Sequence, residues 1–343
     1  MNPYVRLVYT GFQPPLAELN GYDPLAVKIP KADVFHIHWP EAIFWLKRRR
    51  YPMLPLWLAI NVLRTGRKVK KSGGIVALTL HNLEPHQRLN RFQALVWRYY
   101  KAALLKQVDL FISLSDDALK AFKNANPDFS SKCSVVVPHP HYRTSYPTVY
   151  GMASSRMHFK LPLNARIIGM IGSIRPSKKT PEAIKAFVQA AGETDLLFIA
   201  GQCDDAHWKA LQASRGGDPR VVILRDFLDD QTLNMAVAAC NAILLNQEKM
   251  LNSGTALLAL SLNRPLIAVQ AGSMQELAAS MGEGWIYLFP GPISGDSLRD
   301  AIKEIHCDND GNIADLDHLD PVILSSKMIK IFNNMLSTKS HEK

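Results

Sequence analysis

The feature that most constrains the fold is an alternation repeated along the whole chain. Short, continuous apolar runs rich in β-branched residues are each followed by a stretch with helical spacing. In the first half the runs are YVRLVYT, ADVFHIHWP, GIVALTL, DLFISLS and SVVVP, with helical patterns over residues 56–63, 91–106 and 116–124. In the second half RIIGMIGS, DLLFIAG, RVVILRD, AILLN, PLIAV and WIYLF are separated in the same way. Strands that carry no polar alternation are buried on both faces, and parallel sheets sandwiched between helices bury strands so. The expected fold class is therefore α/β, as two doubly wound, Rossmann-like domains in series.

A chain of 343 residues also exceeds what one core usually supports. Residues 138–162 hold four prolines and no sustained apolar period, which reads as a linker. The expected domains are residues 1–150 and 151–320, with a C-terminal helix in 321–343 that could pack back on the first domain.

Charge is distributed unevenly. Residues 1–150 carry 21 Lys+Arg against 9 Asp+Glu, so the excess behind the net charge of +10 lies wholly in the first half. An anionic surface partner for that half is the implication. The four cysteines are scattered and form no metal-type pair, as in a cytosolic chain with reduced thiols. The N-terminus lacks a signal-peptide pattern and no apolar run is long enough to span a bilayer, so a cytoplasmic location is expected. Asp308–Asp310 and Asp315–Asp317 have metal-diphosphate spacing but sit in a late polar segment, and Gly311 is misplaced for a calcium loop. No metal and no cofactor are expected.

Two stretches have the chemistry of phosphate binding. IGSIRPSKKTPEAIKAF places Gly172 at a strand end and Ser173, Arg175 and Lys178 in the loop before a helix. It matches neither the Walker loop, which needs Gly-Lys-Ser/Thr, nor the dinucleotide fingerprint. In the second stretch Asn252, Ser253, Gly254 and Thr255 precede an apolar helical run, where free N–H groups can hold phosphate oxygens. An ordinary Ser/Thr helix cap is the plainer reading of the latter.

Taken in order, these elements resemble the GT-B glycosyltransferases, in the nucleotide-sugar-dependent group that extends bacterial glycolipids and exopolysaccharides. ADVFHIHWP is similar to that family's Asp-x-x-His-x-His strand, VALTLHN to its Thr-x-His strand end, and VDLFISLSDDALKAF to its Ala-Asp-x-x-Ile-x-x-Ser element. SVVVPHP stands where the family has Val-Ile-Pro-Asn-Gly, IGSIRPSKKTPEAIKAF where it has Gly-Arg-x-x-x-x-Lys-Gly, and RPLIAV where it has Lys-Pro-Val-Ile-Ala. The resemblance implies two domains facing each other across a cleft. It also implies that Lys178, with Arg175 replacing the family arginine displaced by Ser173, stabilises the diphosphate of the donor as it leaves.

Retaining members carry a glutamate pair, and the positions matching it here hold Met250 and Leu258, with Glu248 two residues early. An inverting enzyme needs a base in the first domain, for which Glu41, His81, Glu84 and His86 are candidates. Glu41 is favoured as base and His81 as a donor-sugar contact. His36 and His38 read as hydrogen-bonded core histidines. In size and in the missing pair the chain looks most like the β-mannosyltransferases of xanthan-type exopolysaccharide assembly, which use GDP-mannose and invert. The implied partners are a nucleotide-sugar donor and a lipid-linked oligosaccharide acceptor.

The stretch FWLKRRRYPMLPLWLAINVLRTGRKVKKSGG accounts for much of the charge asymmetry. Trp45 and Trp57 lie among Lys47, Arg48, Arg49, Arg50, Arg64, Arg67, Lys68, Lys70 and Lys71, a composition suited to the headgroup region of an anionic membrane. Peripheral attachment to the inner face of the cell membrane is expected. In the alternative, a solvated helix face, the same cations merely cover a core helix. Three rival functions remain open: a retaining UDP-sugar enzyme using Glu248, an inactive assembly partner, and a nucleic-acid binder. The last has only the pI of 9.4 in its favour, because the central tract is apolar and lacks the interleaved cations of a phosphate groove.

Overall fold

A computed structural model describes residues 3–14, 17–23, 25, 31–45, 51–82, 84–85, 89–248, 253–304 and 312–341. The chain divides into two units, Met1–His139 with Pro321–Lys343, and Pro140–Asp320.

The first unit contains α1 (Pro3–Val8), β1 (Val34–Ile37), α2 (Leu54–Lys71), β2 (Ile75–Leu80), α3 (Arg91–Gln107), β3 (Leu110–Ser113), α4 (Asp116–Ala125) and β4 (Ser134–Val136). Its four strands are parallel in the order β1-β2-β3-β4. Every residue of β2 and β3 is buried, as their largely apolar character favours. Val76, Leu78 and Phe111 face α2, α3 and α4. Ile75, Ala77, Leu110 and Ile112 face the opposite way, onto Tyr4 and Val8 of α1 and onto Leu324, Met328 and Phe332. Those last three come from the chain's final helix, residues 321–341, which thus completes a core begun by the N-terminus.

The run YVRLVYT, expected as a strand, is helical instead. Its β-branched composition favours a strand, yet the residues it buries are Tyr4, Leu7 and Val8, the spacing of one helix face. Packing against the final helix outweighs propensity here.

The second unit contains α5 (Met152–His158), β5 (Arg166–Ile171), α6 (Thr180–Ala190), β6 (Asp195–Ala200), α7 (Asp205–Arg215), β7 (Val221–Leu224), α8 (Asp230–Ala238), β8 (Ala242–Leu245), α9 (Gly254–Ser261), β9 (Leu266–Val269), α10 (Ser273–Met281), β10 (Ile286–Phe289) and α11 (Gly295–Glu304). The final helix is α12 (Pro321–His341). The six strands are parallel in the order β10-β9-β8-β5-β6-β7. Ile184, Phe187, Leu211, Leu298 and Ile302 cover one face; α8 and α9 lie against β5, β8 and β9.

Chain order reverses between β5 and β8, so the crevice at their carboxyl ends is the place where a sheet of this kind binds ligands. The proline-bearing segment after His139 is docked on this unit. The Tyr142 N–H donates to Ser261 Oγ at 2.8 Å, and Arg143 donates to the Ala314 carbonyl at 2.6 Å.

Candidate active site

The switch point of the second unit is built from the turn that follows β5. Gly172 has φ +94°, in the region open to glycine, and its N–H donates to the Ala200 carbonyl at 2.9 Å. Gly201 lies across from it, and a Cβ there would stand 2.1 Å from the Gly172 carbonyl oxygen. Two glycines thus let the backbones after β5 and β6 meet. Beyond the turn Ser173 and Arg175 are exposed, and Arg175 Nε donates to Ser173 Oγ at 3.3 Å. Lys178 folds back so that Nζ donates to the Ile171 carbonyl at 3.2 Å, beside Gly172. Withdrawal from water, with the Arg175 charge close by, brings its ammonium down to about 8.

The next residue holds an arrangement that the sequence reading did not assign. Lys179 adopts a left-handed conformation, φ 46°, and its Nζ is paired with Glu248 Oε1. The Lys179 carbonyl accepts from Asn246 Nδ2 at 3.1 Å. The loops after β5 and β8 are thereby tied together across the switch point. Asn246 Oδ1 and Thr180 Oγ1 are buried there without a hydrogen-bond partner. The adjacent lysines in SKKT were the available signal, but a single sequence does not tell which one turns inward.

At the start of α9 the structure shows a helix cap: Ser253 Oγ accepts from the Ala256 N–H at 3.1 Å. Gly254 is exposed and Thr255 half-buried, so the first turn presents backbone N–H groups at the carboxyl edge of the sheet. Leu258 is buried in the helix. Met250 and Asn252 lie outside the described residues.

In the first unit the carboxyl ends of β1 and β2 carry a polar cluster. Tyr9 Oη is 2.6 Å from His36 Nδ1 and 2.8 Å from His38 Nε2. His36 Nε2 is 2.7 Å from Thr79 Oγ1, and His38 Nδ1 is 3.3 Å from His81 Nε2. The alternation of H-x-H and T-x-H puts these side chains on one face of neighbouring strands. Tyr9 could not be anticipated, because the helical turn of α1 brings it there. Trp39 stacks on the His81 ring at 4.4 Å and Tyr4 meets it edge-on at 4.7 Å. Burial holds His36 and His81 well below the usual imidazole range and brings His38 to about 4, so all three rings are neutral near pH 7.

Glu41 stands in a 3₁₀ turn just after β1 and is 6% exposed. It accepts from Asn82 Nδ2 at 2.8 Å, and burial raises its carboxyl above the ordinary range. Asn82 follows His81 in the chain, so Glu41 is bonded to the residue next to that histidine. Glu84 accepts from Trp97 Nε1 at 2.6 Å and from Lys101 at 2.5 Å, so its carboxylate holds the loop after β2 to α3. His86 lies outside the described residues. Among the described residues no group of three or more His, Cys, Asp or Glu could hold a metal ion.

The surface of this unit that holds α2 has a two-part stripe. Met53, Trp57 and Ile60 are exposed along the beginning of the helix, and Arg64, Arg67, Lys68 and Lys71 continue along its end. Neighbouring α3 exposes Phe92, Leu95 and Tyr99 at the same spacing, an apolar row that the sequence reading passed over. Trp45 is half exposed, at 50%. Both helices follow strands of a parallel sheet, so both apolar rows lie toward its carboxyl edge.

Lys70 departs from expectation: it is half-buried and donates to Asp109 Oδ1 at 2.7 Å and to the Gln107 carbonyl at 3.0 Å. Its charge is spent within the fold because position 70 turns toward β3 and not outward. Lys47, Arg48, Arg49 and Arg50 lie outside the described residues. Among those described, no helix is long and apolar enough to cross a membrane.

No family model matches the chain. It is 27% identical over 320 residues, 93% of this chain and 84% of the relative, to the GDP-mannose:glycolipid 4-beta-D-mannosyltransferase of Xanthomonas campestris pv. campestris. Among solved structures, sucrose-phosphate synthase from Thermosynechococcus elongatus superposes with a TM-score of 0.62 at 16% identity, over 89% of this chain and 74% of that one. Anabaena HepE in complex with UDP-glucose gives 0.58 at 17%, over 84% and 77%. The catalytic domain of starch synthase IV from Arabidopsis thaliana, bound to ADP and acarbose, gives 0.62 at 10%, over 90% and 73%.

Proposed function

From the premise that this chain is a glycosyltransferase of GT-B fold, we propose that it moves mannose from GDP-mannose, with inversion, onto a polyprenyl-diphosphate-linked oligosaccharide in exopolysaccharide biosynthesis. The donor and the glycolipid acceptor are read from the Xanthomonas relative, whose likeness extends over 93% of the chain. In the second unit Lys178 and Arg175 meet the donor diphosphate and offset the charge that grows on the leaving nucleotide. Ser253, Gly254 and Thr255 offer N–H groups to its phosphates. No metal ion or cofactor is required in this reading.

The observation that carries inversion is the engagement of Glu248. Retaining members of the family that this chain resembles carry a pair of glutamates near the donor. Here Glu248 is ion-paired with Lys179, and the second position is the buried apolar Leu258. Direct displacement then needs a base, and in the first unit burial raises the Glu41 carboxyl above its ordinary range, which strengthens it as a proton acceptor. The acceptor hydroxyl gives its proton to Glu41 as its oxygen bonds to the anomeric carbon and the nucleoside diphosphate departs. His81 hydrogen-bonds a substrate oxygen. The apolar rows of α2 and α3, with Arg64, Arg67, Lys68 and Lys71, bring the first unit to the anionic inner face of the membrane, where such an acceptor is anchored.

The test is calorimetric titration with GDP-mannose and with UDP-glucose, on wild type and Lys178→Ala, followed by NMR of the product formed on a lipid-linked acceptor. Binding of GDP-mannose, weakened in the variant, and a β anomer are expected. An α product from UDP-glucose would establish the retaining reading instead. Binding of neither donor would leave an inactive assembly partner.

A further inference from the structure

The polar cluster behind His81 is a single chain, Thr79–His36–Tyr9–His38–His81, and its first member sets its direction. Thr79 is 1% exposed, and among the described residues the hydrogen-bond partner of its hydroxyl is Nε2 of His36. A buried hydroxyl donates where an acceptor is in reach, since its hydrogen otherwise faces nothing. Thr79 therefore donates to Nε2, and a neutral imidazole that accepts at Nε2 carries its proton on Nδ1.

The same logic runs on through the chain. His36 Nδ1–H donates to Tyr9 Oη at 2.6 Å, and Tyr9 donates to His38 Nε2 at 2.8 Å. His38 is then Nδ1–H as well and donates to His81 Nε2 at 3.3 Å. His81 is left with its proton on Nδ1, a nitrogen that has no hydrogen-bond partner among the described residues. Reversing every bond would strand the Thr79 hydrogen in a buried place. The titratable groups facing His81 are His38, His139 and Tyr4, and both neighbouring histidines disfavour a charge on it.

We propose that Thr79, His36, Tyr9 and His38 are positioning residues that hold His81 in its Nδ1–H form. His81 thereby presents a hydrogen-bond donor, and not a proton acceptor, to an oxygen of the sugar substrate. The inference rests on the reading that His81 meets substrate, and it leaves proton removal to Glu41. It also gives a function to a tyrosine and two histidines that the transfer reaction does not otherwise use.

Nitrogen-15 NMR of the full-length protein labelled at histidine reads the form directly. At pH 7 the ring shifts of His81 are expected to report Nδ1–H in wild type and in Thr79→Ser, and a mixed or reversed form in Thr79→Val, which keeps the shape and lacks the hydroxyl. In the transfer assay Thr79→Val and Tyr9→Phe are expected to lower kcat about tenfold or more with donor KM within about twofold, and Thr79→Ser to restore it. A wild-type His81 found as Nε2–H overturns the proposal even if a variant fails to fold; so does full kcat in folded Thr79→Val and Tyr9→Phe. His81→Ala separates the two layers. Unimpaired transfer by that variant ends its substrate role, whereas loss of transfer there beside full activity in Thr79→Val and Tyr9→Phe ends only the relay.

Discussion

Lys178 illustrates how burial converts an ordinary cation into a tuned one. Its ammonium lies beside the carbonyl of Ile171 and titrates near 8. Diphosphate binding needs the charged form, so affinity for GDP is expected to fall as pH rises through 8, beyond any change in the nucleotide itself. Lys178→Ala is expected to weaken GDP binding by roughly tenfold to a hundredfold, the range of a charge-assisted hydrogen bond, as read by calorimetry. Identical wild-type affinities at pH 7 and 9 would remove Lys178 from the diphosphate site.

The histidines give the opposite kind of pH dependence. Their folded-state values lie below those of the unfolded chain, so between about 6.5 and 4 the unfolded state takes up protons that the folded state refuses. Stability is therefore intact above that window and lost as pH falls through it, with roughly 3 kcal/mol from His38 alone. Urea denaturation between pH 7 and 4.5 should show the slope, and His38→Asn should flatten it; equal slopes would mean that His38 is protonated in the fold.

At the level of elements, the turn after β5 depends on its neighbour across the sheet. A methyl group at Gly201 would meet the Gly172 carbonyl at 2.1 Å, a backbone atom that cannot step aside alone. Gly201→Ala is expected to displace the turn after β5, lose the nucleotide binding proposed for it and cost about 1–3 kcal/mol of stability, while near-native circular dichroism is kept. Wild-type binding by that variant would show that the turn tolerates the shift.

The helices α2 and α3 make a second element-level claim. Trp57→Ser and Tyr99→Ser are each expected to reduce partition onto anionic vesicles several-fold, because each removes aromatic surface from the apolar rows. Lys70→Ala should leave partition unchanged, its charge being committed to Asp109. Equal binding by all three variants would end the proposal that these rows meet a membrane.

For the whole molecule, the consequence of topology is that the first unit is discontinuous. Leu324, Met328 and Phe332 of α12 are 3%, 0% and 4% exposed in the core of a unit that otherwise ends at His139. Burial of three such side chains contributes about 5–9 kcal/mol, a large share of the roughly 5–15 kcal/mol that holds a domain folded. Deletion of residues 321–343 is expected to unfold the first unit and leave the second protected, as limited proteolysis with mass spectrometry would show. A truncated chain with both units protected would mean that the remaining helices suffice.

What the sequence by itself determined was whatever depends on local pattern. Largely apolar runs such as IVALTL and RIIGMI dictated parallel strands buried on both faces, and the glycine of IGS followed by cations marked a turn at a strand end. The alternations H-x-H and T-x-H likewise put His36, His38, Thr79 and His81 on one sheet face. The tertiary structure alone decided what depends on partners distant in the chain. YVRLVYT became a helix because α12, over three hundred residues later, offers it a core. Glu248 lost its freedom because Lys179 turns toward it, and Lys70 lost its outward charge to Asp109. Tyr9, joined to two histidines by the turn of α1, completed a chain whose direction a buried hydroxyl sets. Such pairings are governed by burial and hydrogen-bond satisfaction in three dimensions, and residue order along the chain does not encode them one position at a time.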